Sequence, residues 1–334
     1  MMIRTLFFSL ALIAIGACAT PYVQPAGVTQ AEPAILGQEG RVSVTVSDGA
    51  RLPLQVWEAA SATAVVLGVH GFNDYSSTFD AAGRWWAAQG ITTYAYDQRG
   101  FGAAPEPGTW PGTERLVQDL EDVVAAVRAL HPGTPIYLHG NSMGGAVVLV
   151  ALARRPGNGP LAEVAGASLT APAVWGGTAM SPFYRASLWI AAHTIPSRHV
   201  TGRGFGILPS DNIEMLRALG RDPLVIKETR VDAVYGLVRL MGEGQSAAGE
   251  VDMPLLVLYG AKDRIIPRRP TASMAARMNG ASRFAVYPKG YHMLLRDLQA
   301  ETVWRDIASW ITDRRAPLPS GAEVAPNALF AHVN

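Results

Sequence analysis

The chain has a single cysteine, Cys18, in 334 residues. No internal disulfide framework can form, and no cysteine-based metal site can be built. Histidine is scarce too, at seven, and none stands in H-E-x-x-H or a comparable ligand spacing, so no metal is expected. Neither sign of charge is in excess: 28 Lys and Arg stand against 27 Asp and Glu. With no basic run interleaved with aromatics, a nucleic-acid partner is not expected. The apolar run at the start, Leu6 to Ile15, falls short of the roughly 20 residues a membrane span needs. What remains is 49% hydrophobic and 16% charged, which supports a substantial buried core. The length allows one large α/β domain with an insertion, or two smaller domains.

Arg4 followed by "LFFSLALIAI" fits the charged and apolar regions of a secretory signal covering residues 1–17. The small residues of "IGAC", directly before the lone cysteine, resemble the lipobox of bacterial lipoprotein signals. That resemblance implies cleavage before Cys18 and acylation of it, hence a lipid anchor in the bacterial cell envelope. Each buried methylene of such an anchor contributes about 0.8 kcal/mol. The alternative is a plain signal peptide cut near Ala17 or Ala19, giving a secreted or periplasmic protein. Residues 18–40, rich in Ala, Pro and Gln, read as a tether.

From Arg41 the pattern turns regular. "RVSVTVSDGARLPLQVWEA" alternates around Asp48-Gly49 as an antiparallel hairpin does. "AVVLGVHG", "ITTYAYDQRG", "PIYLHG", "VAGASLTAP", "MPLLVLYGAKD" and "SRFAVYP" read as buried strands. Helical stretches separate several of them, clearest after Thr113, where Leu116, Val117, Leu120, Val123, Val124, Val127 and Leu130 recur at three- and four-residue spacing. This alternation predicts an α/β fold, a mostly parallel sheet with helices on both faces. It lapses over about 173–251, which reads as an insertion forming a helical cap. Within it, "SPFYRASLWIAAHTI" is amphipathic enough to pack on the core or lie against a membrane, and packing is the expectation. The domain is placed at 41–314, with a flexible tail at 315–334.

Ligands of open parallel sheets bind beyond the carboxyl ends of the strands, and three reactive groups fall there. Ser142 sits in "GNSMGG" after the strand ending at His139. Asp263 follows the strand ending at Tyr259, and His292 the strand ending at Tyr287. The order Ser, Asp, His suits a nucleophile, a carboxylate that orients the base, and the base. Gly140, Gly144 and Gly145 allow close backbone approach at a sharp turn. The Met143 amide is one oxyanion donor, and the Phe72 amide in "HGFND" is the candidate for the other.

"VHGFNDYSSTFD", "YAYDQRGFGAAP", "HGNSMGGAVVL", "PLLVLYGAKDRIIP" and "YPKGYHMLL" together resemble the α/β-hydrolase superfamily, within it the monoacylglycerol lipase and lysophospholipase-like group. The likeness runs from about Arg41 to Arg314. It implies the triad Ser142, Asp263 and His292, oxyanion amides at Phe72 and Met143, a cap shaping an acyl channel, and no cofactor. One departure is Asn141, where histidine commonly precedes the serine.

The implied activity is hydrolysis of carboxylic esters of single-chain lipids through an acyl-enzyme on Ser142. The same triad would serve a thioesterase or a serine aminopeptidase, for which Glu214, Glu228 and Asp232 could hold an α-ammonium. A third reading is a non-catalytic envelope lipoprotein. The partners expected are a lipid or other ester substrate and, through Cys18, a membrane; no protein partner is expected. Among the rivals, Asp97 in "YDQRG" is read as structural and paired with Arg99, and Asp252 lies at the wrong end of its strand. His70 is read as shaping the oxyanion loop, His131 as capping a helix, His139 as structural, His193 and His199 as cap residues, and His332 as part of the tail.

Overall fold

The continuous apolar runs pair side by side as strands buried on both faces. The computed structural model describes residues 19–38, 41–154, 157–202, 206–278 and 281–325. The signal-like segment, Cys18 and the tail beyond residue 325 lie outside the described residues. Strands β1 (Ala34–Gln38), β2 (Arg41–Thr45) and β3 (Arg51–Trp57) form an antiparallel edge. β3 joins β5 (Ile91–Tyr96), which runs parallel to β4 (Ala64–Val69), β6 (Ile136–Asn141) and β7 (Val164–Thr170). Two short cap strands, β8 (His199–Val200) and β9 (Thr229–Arg230), pair only with each other. The main sheet continues through β10 (Leu255–Gly260) and β11 (Arg283–Tyr287) to β12 (Glu323–Val324), in the order β1-β2-β3-β5-β4-β6-β7-β10-β11-β12.

Of the helices α1 (Asp80–Ala87), α2 (Thr113–Leu130), α3 (Met143–Arg154), α4 (Pro182–Thr194), α5 (Ile213–Arg221), α6 (Val231–Ala247), α7 (Arg268–Ala275) and α8 (Ala300–Thr312), α4 and α5 lie in the cap and the others cover the two faces of the sheet. Strand side chains alternate between two cores. Val65, Leu67, Leu255 and Val257 join α2, α3, α6 and α7, while Val66, Leu256 and Leu258 join α1 and α8. In the second core Trp86 is fully buried, and its indole N–H donates to the Trp304 carbonyl at 2.9 Å. α3 is apolar all round because it is buried all round, from Met143 to Leu152.

Several boundaries differ from the sequence reading. Residues 19–38 are not a free tether. Gln24 is buried, its side-chain amide donating to Thr109, and β1 adds a strand to the sheet. The tail expected from 315 onward is attached through residue 325. Leu318 is buried, β12 pairs with β11, and Arg283 donates to the Arg314 and Ala316 carbonyls and to the Glu323 carboxylate. The insertion also ends early, since Gly244 of α6 lies against Ala146 of α3 and α6 belongs to the body. Finally, α4 does not pack as expected. Ala192 is its only buried residue.

Candidate active site

β6 ends at Asn141 and α3 begins at Met143, so one residue makes the whole turn. That residue is Ser142, in the left-handed region at φ +52°. A non-glycine residue there costs about 1–3 kcal/mol and persists only where its surroundings enforce it. They do. The Ser142 amide donates to the Thr170 carbonyl at 3.0 Å, and its carbonyl accepts from Ala173 at 2.8 Å and Gly145 at 2.9 Å. The glycines around it are required by contact. A β-carbon on Gly144 would overlap the Val69 carbonyl oxygen, and one on Gly140 would lie 2.6 Å from the Gly145 α-carbon.

The structure brings Ser142, His292 and Asp263 together. His292 Nε2 lies 3.0 Å from Ser142 Oγ, and Nδ1 lies 2.8 Å from Asp263 Oδ2. The other Asp263 oxygen accepts the amides of Ile265 at 2.8 Å and Ile266 at 3.1 Å, which fixes the carboxylate plane. Asp263 and His292 are both buried. With Nδ1 donating to the carboxylate, Nε2 is the free lone pair directed at the serine hydroxyl.

Beside the serine is the loop after β4. Gly71 is so close that a β-carbon there would sit 3.3 Å from Ser142 Cβ. The amides of Phe72 and Met143 make no hydrogen bond within the described structure. Met143 opens α3, so its amide is one of the unpaired donors at the positive end of the helix dipole. His70 shapes this loop. Its Nε2 accepts the Gln98 amide at 2.9 Å, its Nδ1 contacts the Gly71 carbonyl at 2.8 Å, and Gln98 donates back to the His70 carbonyl at 2.8 Å. Full burial lowers its pKa and keeps the ring neutral, which matches an Nδ1–H donor.

His139 and Asn141 form a separate polar group under the turn. Thr170 gives its one hydroxyl proton to Asn141 Oδ1 at 3.0 Å, so His139 Nε2, 3.2 Å away, must donate to Thr170. His139 Nδ1 then accepts from Ser168 Oγ at 2.7 Å. Burial pushes the His139 pKa down to about 3. His131, at the end of α2, bonds the Tyr94 hydroxyl at 2.9 Å.

The expected Asp97–Arg99 pair does not form. Asp97 accepts the amides of Ser76 at 3.0 Å and Ala103 at 2.9 Å, while Arg99 pairs with Asp119 at 2.7 Å and Asp48 at 2.6 Å. The structure adds residues that the sequence reading passed over. Asp297 accepts the Tyr291 amide at 2.7 Å and the hydroxyl of Ser210, a cap residue, at 2.6 Å, holding the loop that carries His292. Arg296 spans from that loop to Asp74 at 2.8 Å, beside the Phe72 segment. Asp297 follows His292 by five residues, but nothing in "HMLLRDLQ" separates it from an ordinary surface carboxylate.

A strained serine at a strand–helix turn, hydrogen-bonded to a histidine and carboxylate at later strand ends, on a mostly parallel sheet covered by helices, defines an α/β-hydrolase. Residues 60–299 match the family described as serine aminopeptidase, S33, and the chain belongs to that family. It is 29% identical over 284 residues to a monoacylglycerol lipase of Mycolicibacterium smegmatis, covering 79% of this chain and 93% of that one. It is 22% identical to the human monoglyceride lipase over 278 residues, covering 81% and 89% respectively. Among solved structures it resembles a soluble variant of the Saccharomyces cerevisiae monoglyceride lipase in complex with a substrate analogue. The TM-score is 0.68 at 17% identity, over 88% of this chain and 99% of that one.

Proposed function

We propose that the chain hydrolyses carboxylic esters of single-chain lipids, monoacylglycerols or lysophospholipids, through an acyl-enzyme on Ser142. The observation that carries this is the unbroken hydrogen-bonded line from Ser142 Oγ through His292 to Asp263, at 3.0 and 2.8 Å. Ser142 Oγ attacks the ester carbonyl carbon as His292 Nε2 takes its proton. The imidazolium that forms is stabilised by Asp263, whose carboxylate is held by two amides. Negative charge collects on the carbonyl oxygen beside the unpaired Phe72 and Met143 amides, each such donor contributing about 2.7–4 kcal/mol to the transition state. Collapse expels the alkoxide, which takes the proton from His292. Water then attacks the acyl-serine with His292 again as base, releasing the acid and restoring Ser142. No step calls on a cofactor.

The family description names a peptidase, and the curated relatives named above are lipases. A peptidase would need a free carboxylate for the substrate ammonium. Asp232, one of three candidates, is buried and bound by Arg230 through both oxygens at 3.0 and 2.6 Å, which removes it from that role. Glu214 and Glu228 stay exposed, so it is the lipase relatives, and not the cap carboxylates, that favour the ester reading. Acylation of Cys18 would tether the enzyme in the bacterial envelope beside such a substrate. A chain-length series of glycerol and aryl esters run beside peptide amides tests the assignment. Esters should be cleaved faster, with a preference for longer acyl chains; faster amide cleavage would move the chain to the peptidases.

A further inference from the structure

In a planar trans peptide the N–H and the C=O point opposite ways, so whatever fixes the Gly71 carbonyl also aims the Phe72 amide. Two donors fix it, His70 Nδ1 at 2.8 Å and the Asp74 amide at 3.3 Å. The second closes a turn over residues 71–74 whose third residue, Asn73, stands in the left-handed region at φ +64°. Asparagine tolerates that region, but it stays there only where its neighbours hold it. Those neighbours come from the cap. The Asn73 carbonyl accepts the Ile226 amide at 3.0 Å, and its side-chain amide donates to the buried Thr229 hydroxyl at 2.7 Å. Two residues on, the Tyr75 hydroxyl donates to Asp222 at 2.7 Å. The cap loop is itself stiffened: the other Asp222 oxygen accepts the Leu224 amide at 2.9 Å, and the Lys227 ammonium donates to the Asp222 and Val225 carbonyls.

The other end of the same cap stretch rests on the loop that carries His292. The Met293 amide donates to the Pro209 carbonyl at 3.0 Å, and the Ser210 hydroxyl to Asp297 at 2.6 Å. The Asn212 side chain donates to the Arg296 carbonyl at 3.1 Å, and the Leu298 amide to Asp211 at 2.9 Å. Between the two ends runs α5, none of whose residues is buried. Residues 209–229 are therefore fixed chiefly at their ends, one on each loop of the catalytic site. The Arg296–Asp74 ion pair at 2.8 Å joins those two loops directly and closes the ring.

We propose that Asn73 is a positioning residue for the reaction: cap residues 209–229 brace the base loop against the oxyanion loop, and through Asn73 they set the direction of the Phe72 amide. The inference rests on the acyl-enzyme reading above. A hydrogen bond to the oxyanion is made only as charge develops, so a misdirected amide lowers turnover and leaves substrate binding almost unchanged. The cap then completes the catalytic site as well as covering it, and Asn73 and Thr229 act on the reaction without touching the reacting atoms.

The test uses two mild variants. Thr229→Val keeps the shape of the side chain and removes the hydroxyl, and Asn73→Gly keeps the left-handed backbone and removes the side-chain amide. Phe183→Ser, on the exposed face of α4, serves as the cap control. Both test variants should lower kcat for a soluble aryl ester about tenfold, with KM within about twofold, since the donor is misdirected and not removed. The inhibition constant of a trifluoromethyl ketone, whose adduct on Ser142 carries an oxyanion, should rise by the same factor. The control should change none of these. In protein isotope-labelled at the phenylalanine nitrogens, formation of that adduct should move the Phe72 amide proton downfield, and by less in both variants. Unchanged kcat and ketone affinity in both variants would overturn the brace. So would a loss confined to KM, which would give Asn73 and Thr229 to substrate binding. A lower kcat with an unaltered Phe72 shift would overturn the route through the oxyanion loop. If the unaltered chain prefers amides, the ester reading fails, and the same comparisons made with an amide still decide the brace, because both reactions pass through the oxyanion.

Discussion

Ser142 and Phe183 sit in two parts of the molecule that are built differently. Around Ser142 the backbone is held from three sides by Thr170, Ala173 and Gly145, and glycines stand where a β-carbon would collide. Around Phe183 almost nothing is held, because α4 buries one alanine and presents its aromatic and aliphatic side chains outward. A strained conformation survives in the first region because a close-packed interior enforces it. The second is left open to whatever lies outside the chain. Catalytic geometry belongs to the strand ends and the loops tied to them, and surface chemistry belongs to α4.

That contrast predicts a graded set of effects. In the body, Trp86→Ala removes a buried indole and its hydrogen bond to Trp304, and should cost about 3–5 kcal/mol of stability in denaturant unfolding. Phe183→Ser with Ile190→Ser on the cap should change stability by less than about 0.5 kcal/mol in the same measurement. Asp297→Ala frees the Tyr291 amide and Ser210, so the start of the His292 loop loses its side-chain tie to the cap, while the Met293–Pro209 and Asn212–Arg296 bonds remain. Ester turnover should fall about a hundredfold in kcat with a small change in KM, because a displacement near 1 Å at the base suffices for that loss. A further effect concerns pH. The unfolded chain protonates His139 near pH 6.5, but the folded one refuses the proton until about pH 3. Stability is therefore lost as pH falls through that window, at up to about 1.4 kcal/mol per pH unit. His139→Gln should flatten the slope of unfolding free energy between about pH 6 and pH 4 by close to one proton; an unchanged slope would place the acid sensitivity elsewhere.

The same contrast explains what could be read from the chain alone. Strands such as Ala64–Val69 and Leu255–Gly260 are continuous apolar runs that end at a glycine or turn, so their carboxyl ends, and with them Ser142, Asp263 and His292, could be located by pattern. Attachments made by long-range polar contacts leave no such trace. Gln24 on Thr109 and Arg283 on Glu323 tie down segments whose composition reads as tether and tail. Arg99 stands two residues from Asp97 yet pairs with Asp119, because Asp97 is already occupied by two loop amides. Asp297 acts on His292 only through the fold of its loop. The cap misled for a different reason. An amphipathic pattern shows that a helix has two faces, but not which one meets the body.

The central claim is that Ser142 carries the acyl group during turnover. Intact-protein mass spectrometry, quenched early in the hydrolysis of a long-chain monoacylglycerol, tests it most directly. The account predicts a transient adduct with the mass of the acyl group, mapped to the peptide containing Ser142, absent in Ser142→Ala and longer-lived when His292 is replaced by alanine and the ester is an activated one. Full turnover by Ser142→Ala, or an adduct mapped to any other residue, would contradict it.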